Sequence, residues 1–162
     1  MGVFVWAAVG VFAVAALRDL VWRCIDDVLV AALLVLWGLS AFTTGLTGGQ
    51  ALGHVAVGAA AFLVMWGAFA MGWMGGGDVK LAAAVFLWTG PGNAHAAVIL
   101  IALAGLGLAV CCILASLFLR LPLPHPVTAA VGTLAKERGV PYGIALSAGG
   151  IFAALASTAP GG

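Results

Sequence analysis

Two carboxylates, Asp19 and Asp78, are the side chains of this sequence best suited to chemistry. Asp78 stands behind Gly75-Gly76-Gly77 at the head of an apolar segment, and Asp19 stands just after the first apolar segment. An acid in membrane-embedded surroundings is costly to keep and marks a functional site by default. Brought together, two such acids can hydrolyse a peptide bond: one, ionised, takes a proton from water, and the other, protonated, polarises the scissile carbonyl. Carboxyls a few ångströms apart reach that state unaided, because both cannot be ionised at once. The pair then titrates as a unit, so nothing in the sequence says which acid is the base. The glycines before Asp78 let backbone approach a substrate closely and allow positive φ. Plainer roles stand beside these. Asp78 suits a helix N-cap, Asp19 beside Arg18 suits a solvated loop, and Asp26 and Asp27 directly precede an apolar segment that either could cap.

The elements that must position these acids follow from composition. Of the 162 residues 65% are apolar and 7% charged, whereas a soluble domain normally carries about 25% charged residues. This identifies an integral membrane protein, read as one domain over 1–162. The six Lys/Arg and five Asp/Glu are bunched into Arg18–Asp27, Asp78–Lys80 and Arg120–Arg138, leaving 1–17, 28–77, 81–119 and 139–162 without charge. A bilayer core needs about 20 helical residues to cross. The first and last stretches supply one span each. Thr43–Gly49 breaks the second into a hairpin and Gly90-Pro91-Gly92-Asn93 breaks the third. The expected fold is all-α, a bundle of six transmembrane helices near 2–18, 28–44, 51–73, 79–90, 94–119 and 141–158.

Six spans put all three charged groups on one face, which the positive-inside rule makes cytoplasmic; both termini then lie outside. The first segment lacks a basic n-region and is read as a retained span rather than a signal peptide. The fourth span is about half as long as a crossing requires, so Asp78 is expected below the cytoplasmic surface, with Gly75–Gly77 as irregular backbone lining a wet cavity. Lys80 either snorkels to that surface or steadies a nearby carboxylate. Trp6, Trp22, Trp37, Trp66, Trp73 and Trp88 read as interfacial belt residues. The Pro-rich Leu121–Pro126 is irregular, and Thr128–Lys136 has helical composition. His54 and His95 start spans from the opposite face and read as packing residues. His125 has no identified partner. Cys24, Cys111 and Cys112 lack zinc or disulfide spacing, so no metal site follows. A net charge of +1 gives no case for nucleic-acid binding.

At this point the sequence resembles the type IV prepilin peptidases, aspartic peptidases of the G-x-G-D type. Gly75-Gly76-Gly77-Asp78-Val79-Lys80-Leu81 matches their G-x-G-D-x-K-[LF]. Asp19-Leu20, then Arg23, Ile25 and Asp27, is similar to their first-loop pattern D-[LI]-x-x-R-x-I-P-[ND], with Asp26 in place of the proline. Val140-Pro141-Tyr142-Gly143-Ile144-Ala145-Leu146 resembles V-P-[YF]-G-x-A-[LI] at the last helix. The resemblance implies that Asp19 and Asp78 are catalytic, with Gly75, Gly76, Gly77 and Lys80 completing the motif. It implies removal of a basic leader from pilin precursors at the cytoplasmic face of the inner membrane, without metal or organic cofactor. No C-x-x-C domain accompanies the peptidase part, so N-methylation is not expected; the short form is similar to peptidases of tight-adherence (Flp-type) pili, with archaeal preflagellin peptidases another short branch. The partners implied are prepilin-like precursors and the lipid bilayer; the oligomeric state stays open. Intramembrane acids and a broken helix also suit a small proton- or ion-coupled transporter, though no inverted repeat is visible. A non-catalytic pilus-assembly subunit is the third reading.

Overall fold

The structure, a computed structural model, describes residues 2–118 and 142–157. The described residues form helices and no strands: α1 Gly2–Trp22, α2 Asp27–Thr44, α3 Gly48–Ala70, α4 Gly76–Phe118 and α5 Tyr142–Ala156. Four of them, α1 to α4, are long and apolar enough to cross a membrane, and α5 is a shorter apolar helix. Large apolar side chains such as Val3, Phe42, Leu63 and Leu106 point outward, an arrangement stable in lipid and unstable in water. The expected helix at 128–136 and the irregular 121–126 lie outside the described residues.

The first expected break is confirmed and narrows to 45–47. Gly45 takes φ 69, and its N–H with that of Leu46 caps the carbonyls of Phe42 and Ala41 in a Schellman arrangement. Thr47 then starts α3 through a reciprocal capping box with Gln50. Gly72, at φ 75, closes α3 in a similar way, the Gly72 and Trp73 N–H groups bonding Phe69 O and Ala68 O.

The second break differs from expectation. Five helices are seen among the described residues rather than six separate ones, because the four-residue turn expected at 90–93 is a single non-helical residue, Gly90 (φ 65, ψ −178), inside α4. The reason lies in α3. Pro91 has no N–H to give to Leu87 O, and His54 Nδ1 bonds that carbonyl instead at 2.8 Å. The imidazole occupies the space over Gly90, where a Cβ would overlap it. The arms nevertheless fold back on one another. Val85 and Ile101 both contact the site of Gly149, although a straight helix would set them about 24 Å apart. Gly90→Ala is therefore expected to lower the thermal unfolding midpoint in detergent. The loss should be smaller when His54→Ala is also present, since the overlap is then gone; additive losses would show that His54 does not shape the break.

α5 is the most enclosed helix, packed between α1 and α4. A Cβ at Gly150 would overlap the Phe12 ring of α1, and one at Gly149 the side chain of Ile101. On α3, Gly58 sits against Ala83 and Leu87 of α4. Such small residues set backbone distance in a bundle where lipid is as apolar as the core. Trp88 is not a belt residue. It is buried, and its indole Nε1 donates to Leu33 O at 3.0 Å, fastening α4 to α2.

Candidate active site

All charged residues among those described gather at one end of the bundle, where α1 ends and α2 and α4 begin. Asp19 is not beyond the first span, as expected, but within α1, whose helix runs on to Trp22. Arg18-Asp19-Leu20-Val21-Trp22 contains no helix breaker, so the helix outlasts the charge-free run. It stops at Arg23, which adopts φ 54. Asp19 is buried at 6% exposure, and the charge of Arg23 and the N–H groups of Gly143 and Ile144 at the start of α5 bear on its carboxyl. A helix N-terminus is a natural seat for an anion. A Cβ on Gly143 would lie 2.8 Å from Cγ and from Oδ2 of Asp19. Only a glycine leaves the acid its room.

Asp78 is half-buried in the first turn of α4. It stands at the third helical position, not at the cap, and its carboxyl folds back toward the N–H of Gly75, as the third residue of a capping box does. The irregular backbone expected over Gly75–Gly77 ends at Gly75, since Gly76 and Gly77 are already helical and none of the three has positive φ. Gly77 serves close approach instead. A Cβ there would be 3.1 Å from Cβ of Ile25, so its absence lets the α1–α2 connection settle on the head of α4. That contact brings the two acids together, and Asp19 is the charged group acting on Asp78.

Lys80 takes neither side of the pair. Its Nζ donates to Oδ1 and Oδ2 of Asp27 at 2.6 and 2.8 Å, tying α4 to the start of α2. Asp26 makes no side-chain cap; it pairs with Arg18, whose guanidinium also lies over the Trp22 ring at 5.3 Å. The Lys80–Asp27 pair is largely exposed, so Lys80→Gln should change stability by about 0.5 kcal/mol or less. Thermal unfolding in detergent checks this; a larger loss would give Lys80 a role beyond an exposed ion pair. His54 and His95 lie toward the other end. Gly143 and Arg23 are the residues that sequence reasoning quoted in a motif without assigning to the site.

The described part of the chain is thus an all-helical, multi-pass membrane protein with two acids converging at one end of its bundle. The profile of the type IV leader peptidase family matches residues 6–112, a stretch that includes both acids and Lys80. The chain belongs to that family, and so to a family of peptidases. No curated protein and no solved structure was found to match it.

Proposed function

We propose that this protein is an aspartic endopeptidase, with Asp19 and Asp78 as its catalytic pair, that removes the basic leader from type IV, Flp-like pilin precursors. The observation that carries the proposal is the meeting of the two acids. Asp19 is the charged neighbour of Asp78, and its Oδ2 is buried without a hydrogen-bond partner among the described residues. In the proposed reaction the ionised carboxyl takes a proton from water as the water oxygen attacks the scissile carbonyl carbon. The protonated carboxyl gives its proton to the carbonyl oxygen. Collapse of the tetrahedral diol breaks the C–N bond: one hydroxyl returns its proton to the second carboxylate as the carbonyl re-forms, and the amine leaves with the proton first taken from water. The pair ends with one proton, as it began.

We count each arm of α4 as a crossing, which gives six. The charged end then faces the cytoplasm and both termini the other side of the inner membrane. A basic leader would meet the pair from that side. The test is to mix the purified protein with a candidate pilin precursor and read the products by mass spectrometry. A single cut between leader and mature chain is expected. An intact precursor, or cleavage unchanged when either acid is replaced by Asn, would overturn the reading.

A further inference from the structure

The two acids meet, but their surroundings differ. The Asp19 carboxyl abuts the N-terminus of α5: a Cβ on Gly143 would stand 2.8 Å from its Cγ and its Oδ2. The N–H groups of Gly143 and Ile144 act on it as hydrogen-bond donors. Both belong to the first turn of α5, which begins at Tyr142, so neither has a carbonyl of its own helix to bond. The positive end of the helix dipole lies behind them. Arg23 adds a full positive charge that acts on the same carboxyl. It stands one turn further along α1, its own N–H bonded to Asp19 O at 3.0 Å.

Asp78 has less support. One N–H, that of Gly75, acts on its carboxyl, and its charged neighbour is the acid Asp19. The other cations among the described residues are engaged elsewhere. Lys80 is bonded to Asp27 at 2.6 and 2.8 Å, and Arg18 pairs with Asp26 and lies over the Trp22 ring. Tyr142, at the start of α5, turns its ring onto Gly105 of α4, and Cys24 is exposed. Where two carboxyls share one proton, the one with more donors and a cation beside it is the one left ionised.

We propose that Asp19 is the general base and Asp78 the proton donor, the roles being set by the start of α5 and by Arg23, which together seat a carboxylate at Asp19 and none at Asp78. In the cut, water gives its proton to Asp19 while Asp78 protonates the scissile carbonyl oxygen. On collapse Asp19 passes its proton to the leaving amine, and a hydroxyl of the diol returns one to Asp78. These roles rest on the peptidase proposal; the resting place of the shared proton does not.

The test is a carboxyl-stretch infrared titration of Asp19→Asn and Asp78→Asn, each as full-length protein in detergent. An Asn is uncharged, as a protonated Asp is. Each variant therefore leaves one acid beside a mimic of its protonated partner, and its midpoint gives the proton affinity that decides where a shared proton rests. Asp78 in Asp19→Asn should keep its protonated band to a pH about one unit or more above that at which Asp19 loses its band in Asp78→Asn, the scale set by one adjacent cation. Equal midpoints, or the reverse order, overturn the assignment. If either variant does not fold, the pH profile of kcat/KM in Arg23→Gln decides. Removing the cation beside the base should move the acid limb, which reports that base, up by about one unit, and Arg23→Lys should restore it. An acid limb that stays in place overturns the assignment. If the wild-type protein cleaves no precursor, the peptidase reading fails, while the infrared order still locates the proton.

Discussion

Asp19→Asn and Asp78→Asn should each reduce leader cleavage by about a thousandfold or more while the protein stays in the membrane at wild-type levels. Amide and carboxyl are nearly isosteric, so the packing of Asp19 against Gly143 and the fold of Asp78 over Gly75 survive the change. What is lost is the proton. Asn can neither take one from water nor give one to a carbonyl oxygen, and acid–base groups of this kind contribute about 10² to 10⁴ in rate. Because the proposed reaction needs both carboxyls in one concerted unit, the double variant should be no slower than the worse single one. Quantitative immunoblotting of precursor and product, beside the level of membrane-inserted enzyme, measures all three. Full activity in either single variant would remove that acid from the chemistry. Losses that multiply in the double variant would mean the acids act in separate steps.

Much of this architecture was legible because its determinants are local. Gly45, Thr47 and Gln50 carry the turn between α2 and α3 within a few residues, and the bunching of charge into Arg18–Asp27 and Asp78–Lys80 revealed that the helix ends carrying those two groups share a face. The break before Pro91 was legible too, but not its width. Whether four residues or one leave the helix depends on who satisfies Leu87 O, and the answer, His54, comes from another helix. The end of α1 was misjudged for a different reason. A charge-free run marks where lipid ends, whereas a helix ends where its backbone is broken, and here Arg23 does that four residues after Asp19.

The site divides along the same line. Asp19 and Asp78 stood out as acids that a membrane sequence would not otherwise carry. Their supports did not. Lys80 sits two residues from Asp78, yet its partner is Asp27, a choice set by how α2 meets α4. Gly77 and Gly143 were visible as motif glycines, but motif membership does not say what a side chain would strike. In both cases the obstacle is another segment, Ile25 for Gly77 and Asp19 for Gly143. Glycines in helices are therefore informative only once the facing surface is known.

Gly143→Ala turns that last point into a measurement. The added methyl would fall 2.8 Å from Cγ and Oδ2 of Asp19 and 2.9 Å from Cδ1 of Ile25, closer than a carbon can stand. Ile25 can yield at its flexible tip. Asp19 cannot yield without moving its carboxyl relative to Asp78, and a displacement of about 1 Å in a reacting group costs about 10²-fold in rate. Leader cleavage should fall by about that factor, with the protein still folded, because the added methyl crowds one carboxyl and one flexible side-chain tip. Gly10→Ala is the control. It makes the same chemical change inside α1, where a Cβ meets nothing within 4 Å, and should leave cleavage at the wild-type rate. A Gly143→Ala enzyme as fast as that control would mean the start of α5 does not hold Asp19 in place.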